Sequence, residues 1–352
     1  MGKDHVWSGA LTKSIGMLVA GEVGPTETRL ALCGLDMGRP VVVIEETTPN
    51  RGFVGLGPMV QRFLAKHRPP QIRGAAFVVS GPVSDGVCLA ANLPWPVEGQ
   101  ALGSELGIDH VSVLNDVEAT AHAIQSLGAD DMLVLTGGDA SEPGNQAVIT
   151  VGACPGMSGL HWNGTEHRSF LSEGGHADFA PSNESELRLA LHLSRHVARV
   201  TVELLLSSSG LGLIYRYLRE ESPTAEPPEL TDAFRGEEVG AVVLRASLAG
   251  TDPVCRQALE TFLSIYGSCA GNLALTLRTT GGVYLAGDIL PSMRGELASS
   301  GFLSAFGKKA PMQELLGKIP VHAILNERAA LLGAAAVAAR ELRIRRVGGW
   351  AS

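Results

Sequence analysis

Two polar clusters interrupt a largely apolar chain, and their residue types could do chemistry. The first is Leu114-Asn115-Asp116, where the run "HVSVL" ends in an amide and a carboxylate. A carboxylate at the C-terminal end of a strand stands where α/β folds place ligands, and it has the basicity to accept a proton from a hydroxyl. Asp116 could equally cap the helix that the following "VEATAHAIQSL" predicts. The second cluster is "SEGGHADF", in which Glu173 and His176 flank two glycines. A backbone without side chains between two polar heads suits a binding loop. A third stretch, "MLVAGEVGPTETRLAL" from Met17 to Leu32, reads as two strands around a glycine-containing turn. Such turns cradle phosphate with backbone N–H groups, yet this one contains Pro25, flanked by Glu22 and Glu27.

These residues need a frame, and hydrophobic periodicity supplies one. After the first hairpin, "RPVVVIEETTP" reads as a third strand and "LGPMVQRFLAKH" as an amphipathic helix. "GAAFVVSGPV" is a buried strand, "GVCLAANLPWPV" a strand entering a loop, "GQALGSELGI" a helix and "HVSVLND" a strand. The pattern restarts with "DMLVLTGG" and "NQAVITVGACPGMSGLHW", a second strand-turn-strand. Long helical stretches follow: "SELRLALHLSRH", "VTVELLLSSSGLGLIYRYLR" and "DPVCRQALETFLSIYGSCAGNLALTL". "EESPTAEPPELTD", Glu220 to Asp232, reads as an exposed loop between helices. The strands "GGVYLAGDIL" and "IPVHAIL" precede a last helix, "NERAALLGAAAVAAREL", which could return to the first domain. The alternation of strands and helices predicts an α/β fold with mixed sheets, duplicated around a cleft.

Composition narrows the function classes. With 45% hydrophobic residues in 352, the chain can bury a sizeable core. A net charge of −8, spread without runs, argues against a nucleic-acid surface. The cysteines (Cys33, Cys88, Cys154, Cys255, Cys269) include no C-x-x-C pair, so reduced buried thiols are expected in place of a zinc site. The opening "MGKDHVWSGALTKSIG" has no apolar signal core, and "ALLGAAAVAA" is only about ten residues long, too short to span a bilayer. A cytoplasmic protein without membrane partners is the expectation.

Taken together, the motifs resemble the bacterial ATP-dependent glucokinase family of the hexokinase/actin-like ATPase superfamily, from about Met17 to Ala338. The carriers are "GEVGPTETRLAL", "SGPV", "NLPW", "VLND", "SEGGHADFAP", "VELLLSSSGLGLIYR", "GGVYLAGDILP" and "IPVHAIL". The resemblance implies a two-domain ribonuclease-H-like/actin-like ATPase fold with an interdomain cleft. The small domain would be residues 1 to about 114 plus about 327 to 352, and the large domain about 115 to 326. It implies transfer of the γ-phosphate of ATP to the 6-hydroxyl of glucose with Mg2+, and a homodimer is a possible assembly. By position, Asp116 would be the general base, and Asn92, Asn115, Glu173, His176 and Glu203 would join it in binding the sugar hydroxyls. Gly21, Glu22, Val23, Gly24, Pro25, Thr26, Gly152, Gly156 and Gly287 would face the nucleotide, with Glu22 the candidate Mg2+ ligand.

The sugar-side positions match the family pattern, whereas the nucleotide side departs from it. The family's G-D-x-G-G-T-N-x-R carries Glu22, Pro25 and Glu27 here, and its G-T-G-L-G reads Cys154-Pro155-Gly156-Met157-Ser158. Its S-G-x-G-L stretch reads Ser207-Ser208-Ser209-Gly210-Leu211, and its paired glycines near the adenosine read Gly287-Asp288. Each proline removes a backbone N–H. A carboxylate about 4 Å from a phosphate charge costs roughly 1 kcal/mol in water and about 4 kcal/mol at an effective dielectric of 20. Weakened ATP binding is therefore expected, and the alternative is a catalytically impaired pseudokinase that binds sugar as a sensor. The related repressor and sugar-kinase group usually carries a cysteine-rich zinc motif, which is absent from this sequence.

Overall fold

The computed structural model describes residues 16–89, 92–138, 143–153, 155–299 and 301–348. The chain divides into two units, Met1–Gly128 with Asn326–Ser352, and Ala129–Leu325.

In the first unit, β1 (Met17–Val23), β2 (Glu27–Asp36) and β3 (Arg39–Pro49) form an antiparallel meander. Helix α1 (Leu56–His67) leads to β4 (Ile72–Val79), which lies parallel to β1. A two-residue ladder of β5 (Val87–Cys88) and β6 (Val97–Glu98) then precedes α2 (Gly99–Leu106). The expected strand in "GVCLAANLPWPV" is cut this short in a segment holding Pro94 and Pro96, which cannot donate to a ladder. β7 (Val111–Asn115) pairs parallel with β4, and α3 (Asp116–Ala123) follows it directly. The sheet order is β3-β2-β1-β4-β7.

Strand periodicity explains why β1 is apolar from Met17 to Gly21. Met17 and Val19 face a core shared with Leu56, Met59, Val60 and Phe63 of α1. Leu18 and Ala20 face the opposite core, with Ala119 of α3 and Leu331, Ala334, Ala335 and Ala338 of α13 (Ala329–Gly348). The alanine-rich α13 is thus a sheet-covering helix. At Gly333 it comes so close to α3 that a Cβ would collide with the Ala119 carbonyl. This packing carries the first unit on to Gly128, beyond the expected boundary at 114, because α3 shares its core with α13.

The second unit repeats the plan. β9 (Gln146–Thr150), β10 (Gly156–Trp162) and β11 (His167–Phe170) form an antiparallel meander. β12 (Val283–Ala286) pairs parallel with β9, and β13 (Val321–Ile324) parallel with β12. β8 (Met132–Thr136) adds an antiparallel edge, giving the order β11-β10-β9-β12-β13-β8. The order β11-β10-β9-β12-β13 reproduces β3-β2-β1-β4-β7 in direction as well as sequence, so the duplication expected from the two hairpins is a duplication of sheet topology.

Helices α4 (Glu184–Leu193), α5 (Val202–Leu206), α6 (Ser208–Glu221), α7 (Pro228–Ala233), α8 (Val239–Ala249) and α9 (Pro253–Leu277) follow the meander. The short α10 (Arg294–Ser299), α11 (Phe302–Gly307) and α12 (Gln313–Gly317) lie between β12 and β13. α9 runs through the core, where the Tyr266 hydroxyl donates to the Ile149 carbonyl at 3.0 Å. The single helix expected over "VTVELLLSSSGLGLIYRYLR" is two. Ser207 takes an extended backbone between them and caps α6, its Oγ accepting from Gly210 N–H at 2.9 Å. The Pro/Glu-rich loop after α6 is fastened at Glu226, which accepts from Tyr215 at 3.0 Å and Thr231 at 2.7 Å.

The close approach at Gly333 yields a stability test. Gly333→Ala should gain helix propensity yet destabilise the fold by about 1–3 kcal/mol through overpacking, read as a lower urea midpoint.

Candidate active site

Parallel pairing ends three strands of the first unit at one level. Val23 of β1 lies beside Val79 of β4, which lies beside Asn115 of β7. The segments leaving these ends are the turn after Val23, Ser80-Gly81, and Asp116 at the start of α3. The N-cap of α3 is Asn115 and not Asp116: its side-chain oxygen accepts from Val117 N–H at 2.9 Å. Its amide nitrogen donates to the Gly81 carbonyl at 3.1 Å, and the Asn92 amide points to the Ser80 carbonyl at 3.5 Å. Asn92, Asn115 and the Ser80-Gly81 turn therefore form one polar patch around Asp116. Asp116 is the first helical residue, and its Oδ1 also accepts from Val117 N–H at 2.9 Å.

The first hairpin turn is held from below by a residue that the motifs did not flag. Asn50 is buried, accepts from Thr28 Oγ1 at 2.7 Å and donates through its side chain to the Gly24 carbonyl at 2.8 Å. Its backbone N–H donates to the Thr26 carbonyl at 2.8 Å. Gly24 N–H closes the turn on the Glu27 carbonyl at 2.9 Å. Pro25, Thr26 and Glu27 are exposed at the tip. Gly21 and Val23 are buried in the strand, and Gly21 is glycine because Phe77 and Leu30 crowd its Cα.

Glu22 stands opposite Arg29 in the register, with the two charges 3.6 Å apart. Arg29 is also 3.6 Å from Glu45, so the guanidinium lies between two carboxylates. Burial raises the Glu22 pKa above its ordinary 4.5, Arg29 opposes that shift, and the charges of Asp116 and Glu45 add to it. A carboxylate held near a second negative charge fits Mg2+, which binds through one or two carboxylates plus substrate phosphates.

In the second unit, the turn leaving β9 is woven into its surroundings. Gly152, at φ 115°, donates to the Leu206 carbonyl at 3.1 Å, and its own carbonyl accepts from Ser208 N–H at 3.2 Å. Gly287, at φ 124°, has no room for a Cβ beside the Val151 carbonyl. Gly156 is the first residue of β10. Cys154 lies outside the described residues.

The "EGGH" glycines are there for close approach. A Cβ at Gly175 would press on the Pro155 carbonyl at 3.1 Å and reach the Gly156 Cα at 3.5 Å. The loop is thereby laid against the second turn. His176 Nδ1 is 2.7 Å from Glu203 Oε2 and its Nε2 is 3.7 Å from Glu173 Oε2. Glu203, which helical position alone could leave in solvent, thus belongs with Glu173 and His176. It is held there because α5 is capped by Thr201, whose Oγ1 accepts from Leu204 N–H at 3.2 Å. Converging hydrogen-bonding groups of this kind suit a polyol.

The raised Glu22 pKa predicts a pH-dependent stability effect. Below about pH 4.5 the carboxyl is protonated in both the folded and unfolded chains and contributes nothing. Above that pH, ionisation favours the unfolded state. Glu22→Gln should therefore raise the melting temperature near pH 7 and leave it nearly unchanged near pH 4, as followed by circular dichroism.

Comparison with known proteins gives relatives along most of the chain. A family model described as Glucokinase matches residues 19–341. The chain is 38% identical over 339 residues to a glucokinase of Nostoc sp., covering 92% of this chain and 99% of that one. It is 35% identical over 346 residues to a glucokinase of Synechocystis sp., covering 92% and 98%. The crystal structure of a glucokinase from an Antarctic psychrotroph superposes with a TM-score of 0.81 at 27% identity, covering 92% of this chain and 99% of that chain. A sugar-binding protein without catalysis finds no support in these relatives. The match over most of the chain, with the duplicated sheet topology beneath it, shows that the chain belongs to the glucokinase family.

Proposed function

We propose that the protein transfers the γ-phosphate of ATP to the 6-hydroxyl of glucose, with Asp116 as the general base. Family membership carries the kinase activity. The observation that supports the residue assignment is the placement of Asp116 at the start of α3, on the polar patch made by Asn115 and Asn92. In this reading the Asp116 carboxylate accepts the hydroxyl proton as the sugar oxygen attacks, and phosphoryl transfer otherwise depends on positioning and charge stabilisation. Asn92, Asn115, Glu173, His176 and Glu203 bind the remaining hydroxyls. The Glu203–His176 contact fixes the orientation of the imidazole, and Glu173 stands ready on its other side.

Gly24, Pro25 and Thr26 of the first turn, with Gly152, Gly156 and Gly287, face the phosphates in this reading. Gly24 is already committed through its N–H and carbonyl, and Gly152 through the same two groups, so these glycines shape the turns more than they donate from them. Glu22 would hold Mg2+, which supplies neutralisation of phosphate charge when bound. The described cysteines Cys33, Cys88, Cys255 and Cys269 are buried and unpaired, in keeping with a reducing cytoplasm. No described helix is long and apolar enough to cross a membrane.

Two variants test the assignment in a coupled assay of glucose 6-phosphate formation with calorimetry of glucose binding. Asp116→Asn should lower kcat by about 10²–10⁴-fold with glucose affinity nearly retained. Undiminished turnover would remove Asp116 as the base. Glu203→Gln should weaken glucose binding by about tenfold or more, through loss of a charged partner to His176.

A further inference from the structure

The residue after Gly287 departs from the family's paired glycines, and the structure gives it a definite place. β12 runs parallel to β9 with Ala286 beside Thr150, so the segment leaving β12 emerges next to the turn leaving β9. There Asp288 Oδ1 accepts from the Ala153 N–H at 2.9 Å. The same oxygen occupies the space that a Cβ on Gly152 would need. A turn of this kind attracts anions through its backbone N–H groups. Here one such N–H already serves a carboxylate of the chain itself.

Asp288 is exposed to solvent, and among the described residues lining the adjoining cavity the cation is already paired. Asp288 lies at the edge of a cavity of about 640 Å³ with Ser208, Leu211, Leu244, Arg245 and Ser292. Arg245 is the cation of that lining, and its guanidinium is committed to Glu237 by bonds of 2.7 and 2.8 Å. We propose that Asp288 is an anion supplied by the chain itself that competes with the phosphates of the nucleotide for the second turn and thereby sets the affinity for the phosphoryl donor. The inference rests on the reading of Gly152 and Gly156 as residues that face the nucleotide. An incoming phosphate must displace the carboxylate from the Ala153 N–H or bind beside it against like-charge repulsion.

Two substitutions separate charge from occupancy. Asp288→Asn keeps an acceptor for the Ala153 N–H and removes the charge, and Asp288→Gly removes both. Mg-ATP is titrated calorimetrically into the wild-type protein and each variant, with melting curves recorded to establish folding. The expected result is tighter ATP binding by about tenfold in Asp288→Asn, the equivalent of about 1.4 kcal/mol, and at least as much in Asp288→Gly. The KM for ATP falls in parallel, and the KM for glucose stays unchanged. Unchanged or weaker ATP binding in folded variants overturns the proposal, and weaker binding would mean that the carboxylate helps to hold the nucleotide. Failure of the wild-type protein to phosphorylate glucose would count against the kinase reading, while the titration tests Asp288 independently of turnover.

Discussion

The parallel register of inner strands is the constraint on which both halves of the structure depend. In the first unit it brings the ends of β1, β4 and β7 to one level, so the hairpin turn, Ser80-Gly81 and Asp116 leave the sheet together. In the second unit the pairing of β9 with β12 does the same for the turn at Gly152 and for Gly287-Asp288. Polar groups collect at these ends because the backbone leaves the ladder there and helix N-termini begin there. The start of β1 can be apolar on both faces because layers on each side bury it, as Met17, Leu18 and Val19 show in succession.

Glycine extends that constraint to the loops, in different ways at different positions. Gly175 allows the Glu173–His176 loop to lie on the Pro155-Gly156 turn, and Gly152 and Gly287 adopt positive φ where side chains would collide. Gly21 serves core packing, although it falls inside a motif associated with phosphate. The hairpin tip tolerates Pro25 and Glu27 because both are exposed and the turn is secured by Asn50 and Thr28. The divergence from the family pattern therefore changes the charge and donor inventory of the turn without removing the turn.

The period-2 and period-3.6 patterns made most elements legible, including α1 over Leu56–His67 and β3 over Arg39–Pro49. They failed where local chemistry overrode them. Ser207 breaks an apolar helical run by capping a new helix, and the prolines around Trp95 cut a strand to two residues. Asp116 and Asn115 were both visible as polar residues at a strand end, but which of them caps the helix depends on backbone angles that the types do not reveal.

Sequence by itself determined the duplicated α/β plan, the family, and the residue types of the candidate site, because periodicity, turn chemistry and motif order are properties of the linear chain. Tertiary structure decided the partners. Glu203 joins His176, Asn50 supports the first hairpin through Thr28, 22 residues away in sequence, and Asp288 reaches Ala153 across 135 residues. Such contacts follow from strand register and helix placement, and the intervening chain carries no periodic signal of them. The same holds for the charge on Glu22, whose identity is written in the motif but whose raised pKa arises from burial and from neighbours that folding brings beside it.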